Sequence, residues 1–417
     1  MMLFKLLWAS IVARKSMAIM TCCSIAISML VLLSVVHIES QLRQNFERSV
    51  SGVDLIVGSR TSQLNLLLFS VFKIGYPTNN LQGDSFATIA KNPMVAWAVP
   101  ISLGDSHQGY GVVGTTQNYF SHLKYADKQP LVFASGLSFK TNFEVVLGAA
   151  VAKALAYTLG DNIVLAHGAG KVSFTQHQAH PFTVVGVLKP TGTPMDRSIY
   201  IPIQSVEILH NSIGAQHSEQ AHSPAEHELD EVAHTQQLSA VLVGAKSRIG
   251  VLSLQREISQ FKQEPLTAIL PGLALRELWQ MMSVVEISLK AISILVLFAA
   301  MIGMTTMLLA SMRERRQELS VLRALGARPW LILLLVEAEA VLLTLVGGFM
   351  GYIMLCLGLV LLEPLLLQEY SFSLSTYPEL GLFAGYLLMA LLLAMVLALI
   401  PAISAYLKSL KSGLSFI

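Results

Sequence analysis

The sequence predicts an α-helical membrane protein: four transmembrane helices, with a large α+β exported domain inserted between the first and the second. Three observations carry that expectation. Of the 417 residues, 53% are hydrophobic and 13% charged, at a mean hydropathy of +0.60, which is not the balance of a water-soluble domain. Four runs are long and apolar enough to cross ~30 Å of hydrocarbon, which takes about 20 residues. The Lys and Arg residues flanking those runs fit a single orientation. Buried helices of a large soluble core would explain neither the length of the runs nor the lack of charge in the first two.

Taken in order, residues 1–15 form a cytoplasmic start with Lys5, Arg14 and Lys15 and no acid. The first span, 16–37, is uncharged throughout. Its run exceeds the about 7–15 apolar residues of a signal-peptide core, and no A-x-A site lies between Ser34 and Glu39, so it reads as an uncleaved anchor. The exported domain covers 38–287. The second span is 288–312, uncharged from Ala291 to Met312. A cytoplasmic link, 313–329, carries Arg313, Arg315, Arg316, Arg323 and Arg328. The third span is 330–362, and an exported loop, 363–379, has no Lys or Arg. The fourth span is 380–407, followed by a cytoplasmic tail, 408–417, with Lys408 and Lys411. The positive-inside rule puts both termini and the link on the cytoplasmic side.

The exported domain mixes strand-like and helical periodicity. Phe182–Lys189 and Arg197–Ile203 are β-rich runs joined by Pro190–Pro194, which predicts strand–turn–strand. Phe143–Leu159 predicts a strand leading into a helix closed at Gly160. Ser253–Phe261 and Pro271–Val285 predict amphipathic helices, the second running on into span two. The strand-rich stretch Gly109–Leu188 suggests an inserted second lobe. Asn65–Phe72 is unusually apolar; it reads first as a helix buried in the core, and second as a surface for a hydrophobic substrate or partner helix.

Cys22, Cys23 and Cys356 all fall inside spans, so the exported domain holds no disulfide. The net charge of +2, with no concentrated basic face in the exported domain, excludes a nucleic-acid partner. His210, His217, His222, His227 and His234 stand together with five acids and no Lys or Arg. Imidazole and carboxylate suit zinc, but spacings of 7, 5, 5 and 7 are not those of a tight site. Three readings stay open: a solvated loop, a loose zinc-collecting loop and an ordered metal site.

The link packs seven charged residues into the sixteen between Arg313 and Arg328. Leu319, Leu322 and Leu325 line one stripe of a short helix, with Arg315, Glu318 and Arg323 off it. Gly326 stops that helix and Pro329 opens the next. Physics alone allows a lipid-facing hairpin or a docking knob for a cytoplasmic protein. No G-x-x-x-x-G-K-[ST] occurs, so the chain cannot cradle ATP phosphates by that device, and no nucleophile–base cluster stands out. In span three, Glu337 and Glu339 lie two apart and point in different directions, with Arg323 or Arg328 in reach of one. Gly347 and Gly351 permit close helix approach and suggest a packing face to a second subunit.

The run Glu314–Ala327 resembles the coupling segment of FtsX-like/MacB-like ABC transporter permeases, the mechanotransmission type. Glu318, Arg323, Ala324 and Gly326 match its glutamate and arginine-alanine-x-glycine pattern. Glu339 with Gly347 and Gly348 matches the family's third span, and Pro190–Pro194 with Asp196 resembles a turn of its exported core domain. With one span, a large exported domain and three more spans, the resemblance covers essentially the whole chain. It implies a MacB-like periplasmic core domain and a bacterial inner-membrane location. It implies ATPase docking through Glu314, Arg315, Glu318, Leu319, Leu322, Arg323, Ala324, Leu325 and Gly326. It further implies ATP and magnesium held by a separate cytoplasmic ATPase rather than here, a second permease copy or related permease, and a periplasmic accessory protein. The chain itself is then no enzyme. The expected function is a permease subunit that turns ATP hydrolysis into exported-domain motion acting on a lipoprotein, peptide or similar envelope substrate. The alternatives are a non-transporting regulator of an envelope hydrolase and a zinc-handling component.

Overall fold

A backbone with no water to bond to must satisfy its own N–H and C=O groups, so the long apolar runs become helices. The first, α1 (Lys15–Ser49), does not stop where the apolar run ends at His37. It continues for about three turns through residues that favour helix, including the exposed Arg43–Glu47 pair at 3.7 Å, a pairing worth a few tenths of a kcal/mol. The computed structural model describes residues 14–126, 128–167, 181–211, 237–314, 328–370, 375 and 377–411.

These residues fall into two compact units: Met1–Gln41 with Ser283–Glu363 and Leu374–Ile417, and Leu42–Met282 with Pro364–Ser373. The second is the exported domain. Its chain begins with β1 (Leu55–Ser59), α2 (Gln63–Ser70), α3 (Gly83–Ala90), β2 (Val95–His107), β3 (Tyr110–Thr115) and α4 (Asn118–His122). Short strands follow: β4 (Lys124–Tyr125), β5 (Gln129–Pro130), β6 (Phe133–Gly136) and β7 (Glu144–Leu147). Then come α5 (Ala149–Leu155), β8 (Asn162–Ile163), β9 (Ala166–His167), β10 (Phe182–Leu188), β11 (Ser198–Pro202) and α6 (Ile203–Asn211). The domain closes with β12 (Ala240–Ala245), α7 (Val251–Ser259) and β13 (Leu266–Ile269).

Among the described residues eleven strands form one sheet, in the order β13-β1-β12-β2-β3-β11-β7-β10-β6, with β8 beside β10 and β9 beside β2. Pairs β3–β11 and β7–β10 are parallel; the other pairs of the sheet are antiparallel. Both faces are covered. Ile56 joins one core cluster while its neighbours Leu55 and Val57 join another, on the opposite face. Tyr200 likewise points away from Ile199 and Ile201. Strands buried on both faces read as unbroken apolar runs, which is how these read in the sequence.

Phe182–Leu188 and Ser198–Pro202 are strands with a turn between them, as the sequence predicts, and β7 lies between the two, parallel to β10 and antiparallel to β11. Two sequence expectations change here. The helix after β7 ends at Leu155, with Ala156 rather than a glycine in the left-handed cap position, φ 55°. The suggested second lobe is not separate. β2, thirteen residues long, pairs with β12 through its first half and with β3 through its second, tying Gly109–Leu188 into the common sheet. The apolar stretch Asn65–Phe72 is the buried reading: Leu66 and Leu67 are fully enclosed in α2.

The remaining helices are α8 (Pro271–Glu314), α9 (Pro329–Tyr370) and α10 (Leu380–Lys411). The amphipathic segment expected at Pro271–Val285 is the first part of α8, which runs without interruption for 44 residues, about 66 Å at 1.5 Å per residue. With α1, these make four helices among the described residues that are long and apolar enough to cross a membrane.

Candidate functional site

Most of the predicted ATPase-coupling residues, Arg315, Glu318, Leu319, Leu322, Arg323, Ala324, Leu325 and Gly326, lie outside the described residues. Glu314 is the last residue of α8, and Pro329 opens α9. Of the predicted metal ligands, His217, His222, His227 and His234 also lie outside the described residues, and His210 falls in the last turn of α6. Among the described residues no group of three or more His, Cys, Asp or Glu is placed to hold a metal ion.

The glycines of span three have defined neighbours. A Cβ on Gly347 would stand 2.8 Å from Ile25 Cβ and 3.1 Å from the Cys22 carbonyl oxygen. On Gly351 it would stand 2.6 Å from the Ala26 carbonyl oxygen and 3.0 Å from Met29 Cβ. Both glycines therefore face α1 of the same chain, so this side of α9 is taken up internally rather than by a second subunit. Gly348, one residue round the helix, faces Leu387 of α10 instead, at 2.5 Å. Without side chains at 347 and 351 the two backbones come close enough for dispersion contacts along both helices, the main attraction available between helices in lipid. Cys22 Sγ adds a weak contact to the Leu343 carbonyl at 3.8 Å in this seam, while α1 meets α8 through Ser28 Oγ to the Val296 carbonyl at 3.5 Å and Arg14 donating to Ser311 Oγ. On the far side, Tyr352 and Phe383 stack with ring centroids 4.5 Å apart.

The two acids of span three do part company, as their spacing implies. Glu339 is almost fully enclosed, 2% exposed, on the buried side with Val336, Ala340 and Leu343. Glu337 is half-buried, and both of its carboxyl oxygens are enclosed without a hydrogen-bond partner among the described residues. Arg328 is exposed and forms no ion pair with it among those residues.

A charged cluster that the sequence reading missed stands where α1 has just passed its apolar run, against the middle of α8. Lys290 Nζ lies 2.7 Å from Glu39 Oε2 and 2.8 Å from Glu286 Oε1. The i,i+4 spacing of Glu286 and Lys290 was visible in the sequence; their meeting with Glu39, some 250 residues earlier, depends on the helices lying side by side.

In the exported domain the turn Pro190–Asp196 is built around one carboxylate. Asp196 accepts from Thr191 N–H at 2.9 Å, Thr191 Oγ1 at 2.8 Å and Gly192 N–H at 2.8 Å. Burial pushes its carboxyl up, against these hydrogen bonds, which pull it down. Tyr200 donates to the Met195 carbonyl at 3.1 Å. The turn sits on the start of α5, where a Cβ on Gly148 would meet the Met195 and Asp196 carbonyl oxygens at 2.5 and 2.4 Å. This turn fixes β11 and β10 on either side of β7 and is structural in character.

Four membrane-length helices and a large sheet domain inserted after the first define a multi-pass membrane protein with a large extracytoplasmic domain. Comparison with known proteins agrees with this layout. Residues 18–260 match the MacB-like periplasmic core domain and residues 290–410 match the FtsX-like permease C-terminal domain. Among solved structures, the chain is similar to the crystal structure of the periplasmic region of MacB from Actinobacillus actinomycetemcomitans. The TM-score is 0.35 and the identity 14%, over 56% of this chain and 95% of that one. No curated protein sequence matches. The chain belongs to the FtsX/MacB-like family of ABC transporter permeases, which work with ABC ATPase partners and are generally non-catalytic themselves.

Proposed function

We propose that this chain is the membrane subunit through which a separate cytoplasmic ATPase moves the extracytoplasmic domain, and so extrudes or releases an envelope substrate such as a lipoprotein or peptide. In this reading the ATPase binds ATP and magnesium and docks on 313–329, with Glu318, Arg323 and Gly326 in the contact. Both termini are cytoplasmic in a bacterial inner membrane. The working unit contains two permease chains.

The observation that supports it is the continuity of α8. One uninterrupted helix begins at Pro271, directly after strand β13 of the exported sheet, and ends at Glu314, the second residue of the proposed docking segment. The helix has no proline after its first residue, so no break of that kind interrupts the backbone between β13 and the link. The seam of Gly347 and Gly351 against α1 fastens a second long helix to the same bundle.

The test is to purify the permease with its ATPase and replace Ser288, in mid-helix, by proline. A proline there removes an internal hydrogen bond and kinks the helix, at about 3 kcal/mol or more. Basal ATP hydrolysis should persist while ATP-dependent release of substrate is lost. Release at the wild-type rate would overturn the reading.

A further inference from the structure

The exported domain contains a cavity of about 620 Å3, within the roughly 300–1,000 Å3 range of small-molecule sites. Its walls are the end of α1, the loop after α2, the β2–β3 hairpin and the Gly192–Ser198 turn. The surface is chiefly apolar, with Phe46, Phe72, Leu103 and Val113 among the lining side chains, and Phe46 and Phe72 stack at 4.5 Å.

Three charged side chains line it: Lys73, Arg197 and Asp105. With Arg197 set against Asp105, the remaining charge of the wall is that of Lys73 when protonated. Arg197 lies over the Tyr110 ring at 5.3 Å. Lys73 is the telling group. The residue as a whole is partly exposed, and burial around its amine pulls the ammonium down to about 7. Among the described residues the amine has one hydrogen-bond partner, the Ser70 carbonyl, and no carboxylate. An ammonium has three protons to place, and enclosing it without a counter-charge is unfavourable. Lys73 also holds a left-handed backbone, φ 58°, unusual for a residue with a side chain and a form of strain that gathers at ligand sites.

A second feature keeps the space open. Gly111 has an ordinary backbone conformation and is the exposed second residue of β3, paired with Ser106 of β2 and Ser198 of β11, where glycine weakens a sheet. By strand alternation it shares the face of Val113, and nothing lies within 4 Å of where its Cβ would be. Neither strain nor close packing calls for glycine there; a side chain would project into the cavity.

We propose that this cavity binds a small amphiphile with an anionic head, a carboxylate or a phosphate, its head against Lys73 and Arg197 and its apolar body against Phe46, Phe72 and Leu103. An incoming anion gives Lys73 its missing counter-charge, raises its proton affinity and is bound together with a proton above neutral pH. The binding is a property of the resting protein and stands apart from the ATP-coupling reading; it needs no nucleotide.

The full chain in lipid nanodiscs is irradiated with three photoreactive probes: a diazirine-bearing hexadecanoic acid, its methyl ester and the matching alkyl phosphate. Labelled residues are mapped by mass spectrometry. The acid, the phosphate or both should label the segments 72–76 and 103–113 about tenfold more than the ester, a ratio of the size one ion contact provides. Lys73→Met should bring the anionic probes down to the level of the ester. Gly111→Leu should abolish labelling of these segments by every probe and leave labelling of α9 and α10 unchanged. Should Gly111→Leu fail to accumulate, unlabelled hexadecanoic acid must displace the label from the wild-type cavity. Equal labelling by the ester, no change in Lys73→Met, no displacement, or label confined to the membrane helices would each overturn the proposal.

Discussion

Replacing Gly351 by alanine puts one methyl group into the seam between α9 and α1. That methyl would stand 2.6 Å from the Ala26 carbonyl oxygen, 3.0 Å from Met29 Cβ and 3.2 Å from Leu30 N. These are backbone atoms and a Cβ, so no flexible side-chain end can swing aside. Restoring a contact of ~3.5 Å requires the helices to part locally by about 1 Å, with loss of dispersion contacts along the seam. Overpacking of this kind costs about 1–3 kcal/mol. Alanine is also the better helix former by roughly 1 kcal/mol, so the measured change alone would understate the clash. Gly358→Ala provides the reference: it lies in the same helix and its Cβ would have no atom within 4 Å. The propensity gain is common to both variants and cancels in their difference. Unfolding by a denaturing detergent, followed by circular dichroism, should show Gly351→Ala less stable than Gly358→Ala by about 1–3 kcal/mol. Equal stability would refute the close approach of α9 to α1.

Asp196→Ala should destabilise the extracytoplasmic domain by about 2–3 kcal/mol, because the Thr191 and Gly192 N–H groups lose a charged acceptor; chemical denaturation of the full chain reads this, and a wild-type midpoint would contradict it. Lys73 carries a pH dependence. Its unfolded ammonium titrates at about 10.4 and its folded one at about 7. Between these values the unfolded chain binds more protons, so stability rises with pH from about 7 to about 10, and the penalty is complete below 7. Lys73→Met should flatten that rise in the melting temperature; parallel wild-type and variant curves would count against an enclosed amine. Lys290→Met leaves Glu39 and Glu286 facing one another without their shared cation. The group is partly solvated, so the loss should be about 1 kcal/mol, and adding Glu39→Gln should recover most of it; no recovery would mean that the cluster does not join α1 to α8.

Much of this architecture was legible because it follows from composition and period. Twenty-odd uncharged residues at Ser16–His37 and Ala291–Met312 admit little besides membrane helices, and α2 was readable as buried from Leu66, Leu67 and Phe69. What was not legible is pairing across long sequence distances. The strands at Phe182–Leu188 and Ser198–Pro202 and the turn between them were readable, but that β7 inserts between them depends on contacts with Val145–Leu147, some forty residues earlier. The glycines at 347 and 351 announced a packing face, but only the fold shows that α1 occupies it. Lys73 follows directly on an apolar stretch that drew attention, and nothing in its sequence neighbours signals that its amine would be enclosed beside a cavity.

The central claim is that nucleotide turnover at the link moves the extracytoplasmic sheet domain. Hydrogen–deuterium exchange of the permease–ATPase complex, with and without ATP, measures it most directly. In the wild type, ATP should change protection in the exported strands and in residues 271–290 of α8. In Glu318→Ala the ATPase should still hydrolyse ATP while that change disappears. Hydrolysis together with an unaltered exchange response in Glu318→Ala would contradict the account.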